Sequence, residues 1–213
     1  MKTDDLIIML SSGPDVGVKA APPSATVLPL LAGGLTCLVP LIALLGIRPD
    51  LLLALTLPMF WLKVSFLAIL TMSGWLAAKR LAMPGASTSA LPLYLGTPVL
   101  VLWGVAGILL WQAAPEERAL LFWGTTWRYC PILITLLSLP IFIAALRIMR
   151  SLAPTNLRLA GAAAGFAAGA TAALLYCIHC PEMSPVFVGF WYLLGILVTT
   201  VIGGIIGPRA LAW

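Results

Sequence analysis

Residues 186–206 read VFVGFWYLLGILVTTVIGGII, an uninterrupted apolar run with no charged side chain. A helix needs about 20 such residues to cross a hydrocarbon core roughly 30 Å thick. The run is therefore a membrane span. Five more appear upstream, divided by charges, prolines and glycines: residues 26–47, 50–78, 91–114, 130–146 and 157–178. Pro29, Pro40, Pro58, Pro98 and Pro140 lie inside these spans, which bilayer helices tolerate because neighbouring groups satisfy the freed carbonyls.

Composition agrees. Only 9% of the 213 residues are charged and 62% are hydrophobic, with a mean hydropathy of +1.09. Soluble domains carry about 25% charged residues. A β-barrel would show short alternating segments, and none appear. A cleaved signal peptide is not expected, because Pro14, Pro22, Pro23 and early aspartates precede a run long enough to span. The expected fold is all-α: a polytopic bundle of six transmembrane helices over residues 26–213, preceded by a short cytoplasmic tail over residues 1–25.

Basic residues set the orientation. With the N-terminus inside, Lys2, Lys19, Lys79, Arg80, Arg147, Arg150, Arg158 and Arg209 are cytoplasmic, and Arg48, Arg118 and Arg128 lie outside with Asp50, Glu116, Glu117 and Glu182. Both termini are then cytoplasmic. The high pI is a topology signal, and no basic cluster with interleaved aromatics points to direct nucleic-acid binding. Trp111, Trp123, Trp127, Tyr129, Trp191 and Tyr192 gather at the outer interface as an aromatic belt. Gly161, Gly165 and Gly169, four residues apart on one helix face, suit close helix packing within the bundle, with a homodimer face as the alternative.

Three places could carry function. Cys37 sits among leucines and prolines as an ordinary buried thiol. Cys130, Cys177 and Cys180, however, are brought by topology to one outer level with His179, the only histidine, and Glu182. Those residue types allow a disulfide in an oxidising compartment, a soft-metal site, or nothing more than incidental helix ends. Lys63 is expected in the middle of the second span, where an ionisable residue is a functional candidate or structural glue. In the tail, Thr3 can cap a short helix with Asp4 and Asp5 in its first turn and Leu6, Ile7 and Leu10 at helical spacing. Such a turn is too short to be stable alone. It would dock on the lipid bilayer or in a partner's groove.

The chain also resembles the NrsF type of membrane anti-sigma factor, the negative regulators of sigma F. The most specific likeness lies in residues 176–192, with His179-Cys180-Pro181-Glu182, Ser184-Pro185, Phe187 and Trp191-Tyr192. Further matches are Lys63, Arg80-Leu81-Ala82 with Pro84-Gly85, Trp127 with Cys130-Pro131, Leu139-Pro140, Ala153-Pro154 and the ending Gly207-Pro208-Arg209 to Trp213. The resemblance implies a six-helix inner-membrane protein, not an enzyme, that sequesters an extracytoplasmic-function sigma factor. It implies Cys130 and Cys180 as sensor thiols for metal or oxidant, holding at most a transient heavy-metal ion and no resident cofactor. Cys177 departs from the pattern. The rival functions are a membrane thiol–disulfide oxidoreductase using Cys177 and Cys180, and a small transporter with Lys63 on its path.

Overall fold

The computed structural model describes residues 3–11, 23–83, 85 and 87–212. The described residues contain helices and no strand. In chain order these are α1 (Thr3–Ser11), α2 (Pro23–Pro40) continued by a π-helical turn (Leu41–Leu45), α3 (Leu51–Ala54), α4 (Pro58–Ala82), α5 (Leu91–Gln112), α6 (Pro115–Trp123), α7 (Cys130–Arg150), α8 (Leu157–Tyr176), α9 (Pro185–Phe187), a second π turn (Val188–Tyr192) and α10 (Leu193–Ala210). Six helices are long and apolar enough to cross a membrane: Leu28–Leu45, Pro58–Ala82, Leu91–Gln112, Cys130–Arg150, Leu157–Tyr176 and Pro185–Ala210.

The six spans are those expected, with three differences that matter. The second does not start at Asp50. A four-residue turn, α3, comes first, and Pro58 then opens α4 at its first position, where a missing N–H costs nothing. Pro58 is thus a helix start rather than an internal proline. Lys63, expected in the middle of its span, consequently sits five residues into a 25-residue helix, near its N-terminal end. Thirdly, the loop after α5 contains α6, a nine-residue helix with Glu116 and Glu117 in its first turn, favourably placed against the helix dipole.

The core is built around α8, whose alanines and glycines let neighbours approach closely. Its Gly161 faces the backbone of Gly203 and Gly207 on α10, and Gly165 faces the Thr199 carbonyl, so closely that a β-carbon at either would collide with backbone. The stripe is used for packing inside the bundle. Ala160, Ala164, Ala167, Ala168 and Ala172 are fully buried beside it, and Asn156 caps the helix by accepting from the Leu159 N–H at 3.1 Å. Around α8 and α10 stand α7 and α4. α2 lies against α7, and α5 is peripheral, burying only Leu91, Leu102 and Ala106 among its own residues.

In the tail, α1 covers the expected residues, with Asp4 and Asp5 in its first turn and Ile7, Ile8 and Met9 more than half exposed. The side chains of Leu6 and Leu10, and the linker over residues 12–22, lie outside the described residues, as do Lys2, Lys19, Pro84 and Trp213.

Candidate thiol site

Where α8 ends, the chain winds through residues 177–184 before re-entering as the sixth span. The Cys180 N–H and the His179 N–H both donate to the Tyr176 carbonyl at 3.0 Å, which curls the loop back over the helix end. This tucks Cys180 under the start of α7. There Cys130 is the first helical residue, its N–H donating to the Thr126 carbonyl at 3.0 Å, while the Thr126 hydroxyl lies 3.7 Å from the Cys180 sulfur. Thr126 thus ties the two cysteines to one another. Both are fully buried, and both are free thiols. Hydrogen bonding with the adjacent Cys130 holds the Cys180 thiol below the ordinary thiol range, overcoming the opposing effect of burial, with the nearby positive charge of Lys63 helping.

Cys177 plays another part. Its sulfur points back along α8 to the Ala173 carbonyl at 3.5 Å, and burial pushes its thiol up to about 11. It is a packed, protonated side chain. His179 and Glu182 share the level of the thiols but are engaged elsewhere. His179 Nδ1 is 3.0 Å from the Gly46 carbonyl. Glu182 Oε1 accepts from both the amide and the hydroxyl of Thr125 at 2.7 Å. Among the described residues no three metal-ligating side chains converge. The geometry brings together Cys130 and Cys180, with His179, Glu182 and Cys177 framing the loop that presents one of them.

Two cations reach the same loop. Lys63, 1% exposed, donates from Nζ to the carbonyls of Glu182 at 2.9 Å and Cys180 at 3.3 Å, and sits 4.7 Å from the centre of the Tyr192 ring. A buried ammonium needs such partners, because leaving it bare in a low-dielectric interior is strongly unfavourable. Arg48 is also buried. It clamps Asp50 through Nε to Oδ1 at 2.8 Å and Nη2 to Oδ2 at 2.6 Å, and its Nη1 lies 3.4 Å from the Cys180 carbonyl. That bidentate bond holds the Asp50 carboxyl below its usual range. Read from sequence, Arg48 is one of three outer-loop basic residues; its role is missed because the contact spans more than a hundred residues of chain. The short spacing to Asp50 is the one local hint.

The Tyr192 hydroxyl completes the pocket. It is buried beside the thiols, facing that of Cys180. Outside it, Phe122 meets Trp123, Trp123 meets Trp127 and Phe190 meets Trp191 edge to face, while the Phe122–Phe190 and Trp127–Trp191 pairs are tilted. Trp191 Nε1 donates to the Phe122 carbonyl at 2.8 Å, closing α6 over the site.

Comparison with known proteins agrees with the residues. A family model described as negative regulator of sigma F, NrsF, matches residues 10–213. A probable anti-sigma-F factor NrsF of Azospira oryzae is 50% identical over 217 residues, with 100% of each chain covered. An anti-sigma-F factor NrsF of Caulobacter vibrioides is 38% identical over 215 residues, again with 100% of each covered. No solved structure matches. With the match running through the thiol loop and every span, the chain belongs to the NrsF family of negative regulators of sigma F.

Proposed function

We propose that the protein is an inner-membrane anti-sigma factor that sequesters an extracytoplasmic-function sigma factor and releases it when Cys130 and Cys180 sense a heavy metal or an oxidant from the periplasmic side. The observation that carries this reading is the burial of those two free thiols against each other, at the bundle end opposite the one from which the tail enters. The names of the relatives supply the sigma-factor partner. The charge distribution supplies the orientation, with N- and C-termini cytoplasmic.

Two chemistries would join the thiols. A two-electron oxidant such as a hydroperoxide takes both electrons, one from each sulfur. The S–S bond forms, the O–O bond breaks, and the two thiol protons leave in the alcohol and water produced. A soft metal ion would instead bridge two thiolates, displacing their protons to solvent. Either ties the loop after α8 to the start of α7. The tail is the sigma-binding segment, with Asp4 and Asp5 opening α1 and Leu6, Ile7 and Leu10 as its apolar contacts. The oxidoreductase alternative is disfavoured by Cys177, whose thiol is committed to the Ala173 carbonyl. Lys63 is committed to two loop carbonyls and not to a solute path.

A reporter on the sigma factor's target promoter tests the reading. Cadmium, chromate or peroxide should induce it in cells with the wild-type protein, and the Cys130→Ser, Cys180→Ser double variant should hold it low. Unaltered induction in the double variant would mean the thiols are structural.

A further inference from the structure

We propose that the corner formed by Gly46, Arg48 and His179 is the joint through which the thiol loop acts on the first span, with Arg48 and His179 as its positioning residues. This rests on the anti-sigma reading above and adds the route by which a change at the thiols reaches the tail. The two sites lie on opposite sides of a core roughly 30 Å thick, so a rigid element must connect them.

The first span is the helix that continues the tail, and its outer end is fastened directly to the thiol loop. The Arg48 N–H donates to the Ile178 carbonyl at 3.1 Å. His179 Nδ1 lies 3.0 Å from the Gly46 carbonyl. Arg48 Nη1 reaches the carbonyl of Cys180 itself at 3.4 Å. The guanidinium is aimed there by its clamp on Asp50, and at 5% exposure it has little freedom to swing away. Bridging the sulfurs fixes the Cys180 backbone relative to the start of α7, and the carbonyl beneath Arg48 moves with it.

The segment that receives this movement is not an ordinary helix. Leu41–Leu45 is a π turn, closed by the Gly46 N–H donating to the Leu41 carbonyl at 3.1 Å. Pro40 precedes it and Gly46, at φ 78°, ends it. A π turn holds one residue more than an α turn, so its loss slides and rotates the helix by one residue, about 1.5 Å and about 100°. The first span therefore contains a two-position element at the point where the loop grips it. Its inner end leads into the tail.

Full-length protein in native membranes with its bound partner provides the test, using a hydroperoxide as inducer. Bridging of Cys130 to Cys180 is read by mass-tag alkylation, and release of the partner by sedimentation of the membranes. Arg48→Gln should retain the partner before treatment and bridge to the wild-type extent, yet release it at least fivefold less. Arg48→Lys should recover half or more of the release. Asp50→Asn, which keeps the cation but loosens its aim, should lower release about twofold, and it carries the test if Arg48→Gln does not accumulate. Wild-type release from a bridged Arg48→Gln or Asp50→Asn protein would overturn the joint. Release from the wild type without any bridging would overturn the thiol reading itself, and the joint with it.

Discussion

Lys63 shows how much one side chain can hold together. Its ammonium bridges the carbonyls on either side of Pro181, so α4 and the thiol loop share one cation. Lys63→Met keeps the volume and removes the donors, leaving the buried Cys180 carbonyl under-satisfied at about 1–3 kcal/mol. The variant should melt at a lower temperature in detergent. Cys180 itself makes a pH statement. Its thiol is lowered from an ordinary 9.0, first by hydrogen bonding with Cys130. A group depressed on folding contributes stability that is full above its unfolded value and is lost as pH falls through the folded one. Alkylation of Cys180, followed by mass spectrometry, should therefore persist below the ordinary thiol range and decline only as pH drops through the lowered value. In Cys130→Ala its midpoint should move up; an unmoved midpoint would remove Cys130 as the cause.

At the scale of elements, the glycine face of α8 decides how the bundle closes. A side chain at Gly165 would meet the Thr199 backbone on α10, with no flexible atom to give way. Gly165→Leu should cost more than the about 1–3 kcal/mol typical of overpacking and should show as loss of folded protein in membranes. The exposed Gly104→Leu on α5, where a β-carbon meets nothing within 4 Å, should be tolerated. The sequence shows these long elements plainly, because apolar length and small-residue spacing are local signals. It does not show α6, whose nine residues mix Glu116, Glu117 and Arg118 with apolar neighbours and read as an ordinary polar loop. Nor does it show the π turn at Leu41–Leu45, which differs from α-helix only in hydrogen-bond register. Lys63 is legible as an oddity, but its position depends on where the helix starts. Read from sequence Pro58 is internal to the span, and the structure makes it the first residue of the helix. The level shared by Cys130 and Cys180 follows from counting spans, whereas the partners of Arg48, His179 and Glu182 come from folding alone.

For the whole molecule, the thiol loop lies at the end of the bundle opposite Pro23, where α2 begins, and α8 packs against α10, α4 and α7 at its centre. Reporter fusions at Glu116 and Glu182 should read periplasmic, and fusions at Lys19 and Ala153 cytoplasmic; a periplasmic signal at Ala153 would break the six-span topology. A coupling free energy between two such sites is typically about 1–3 kcal/mol, enough to weaken partner binding several-fold to about a hundredfold. The most direct measurement uses the purified protein in liposomes with its sigma factor bound, treated with cadmium or with a hydroperoxide, and reads the fraction of sigma factor that stays with the vesicles. The wild type should lose its partner on treatment, and the Cys130→Ser, Cys180→Ser double variant should keep it. Equal release from both proteins, or full retention by a wild type whose thiols have been bridged, would contradict the account.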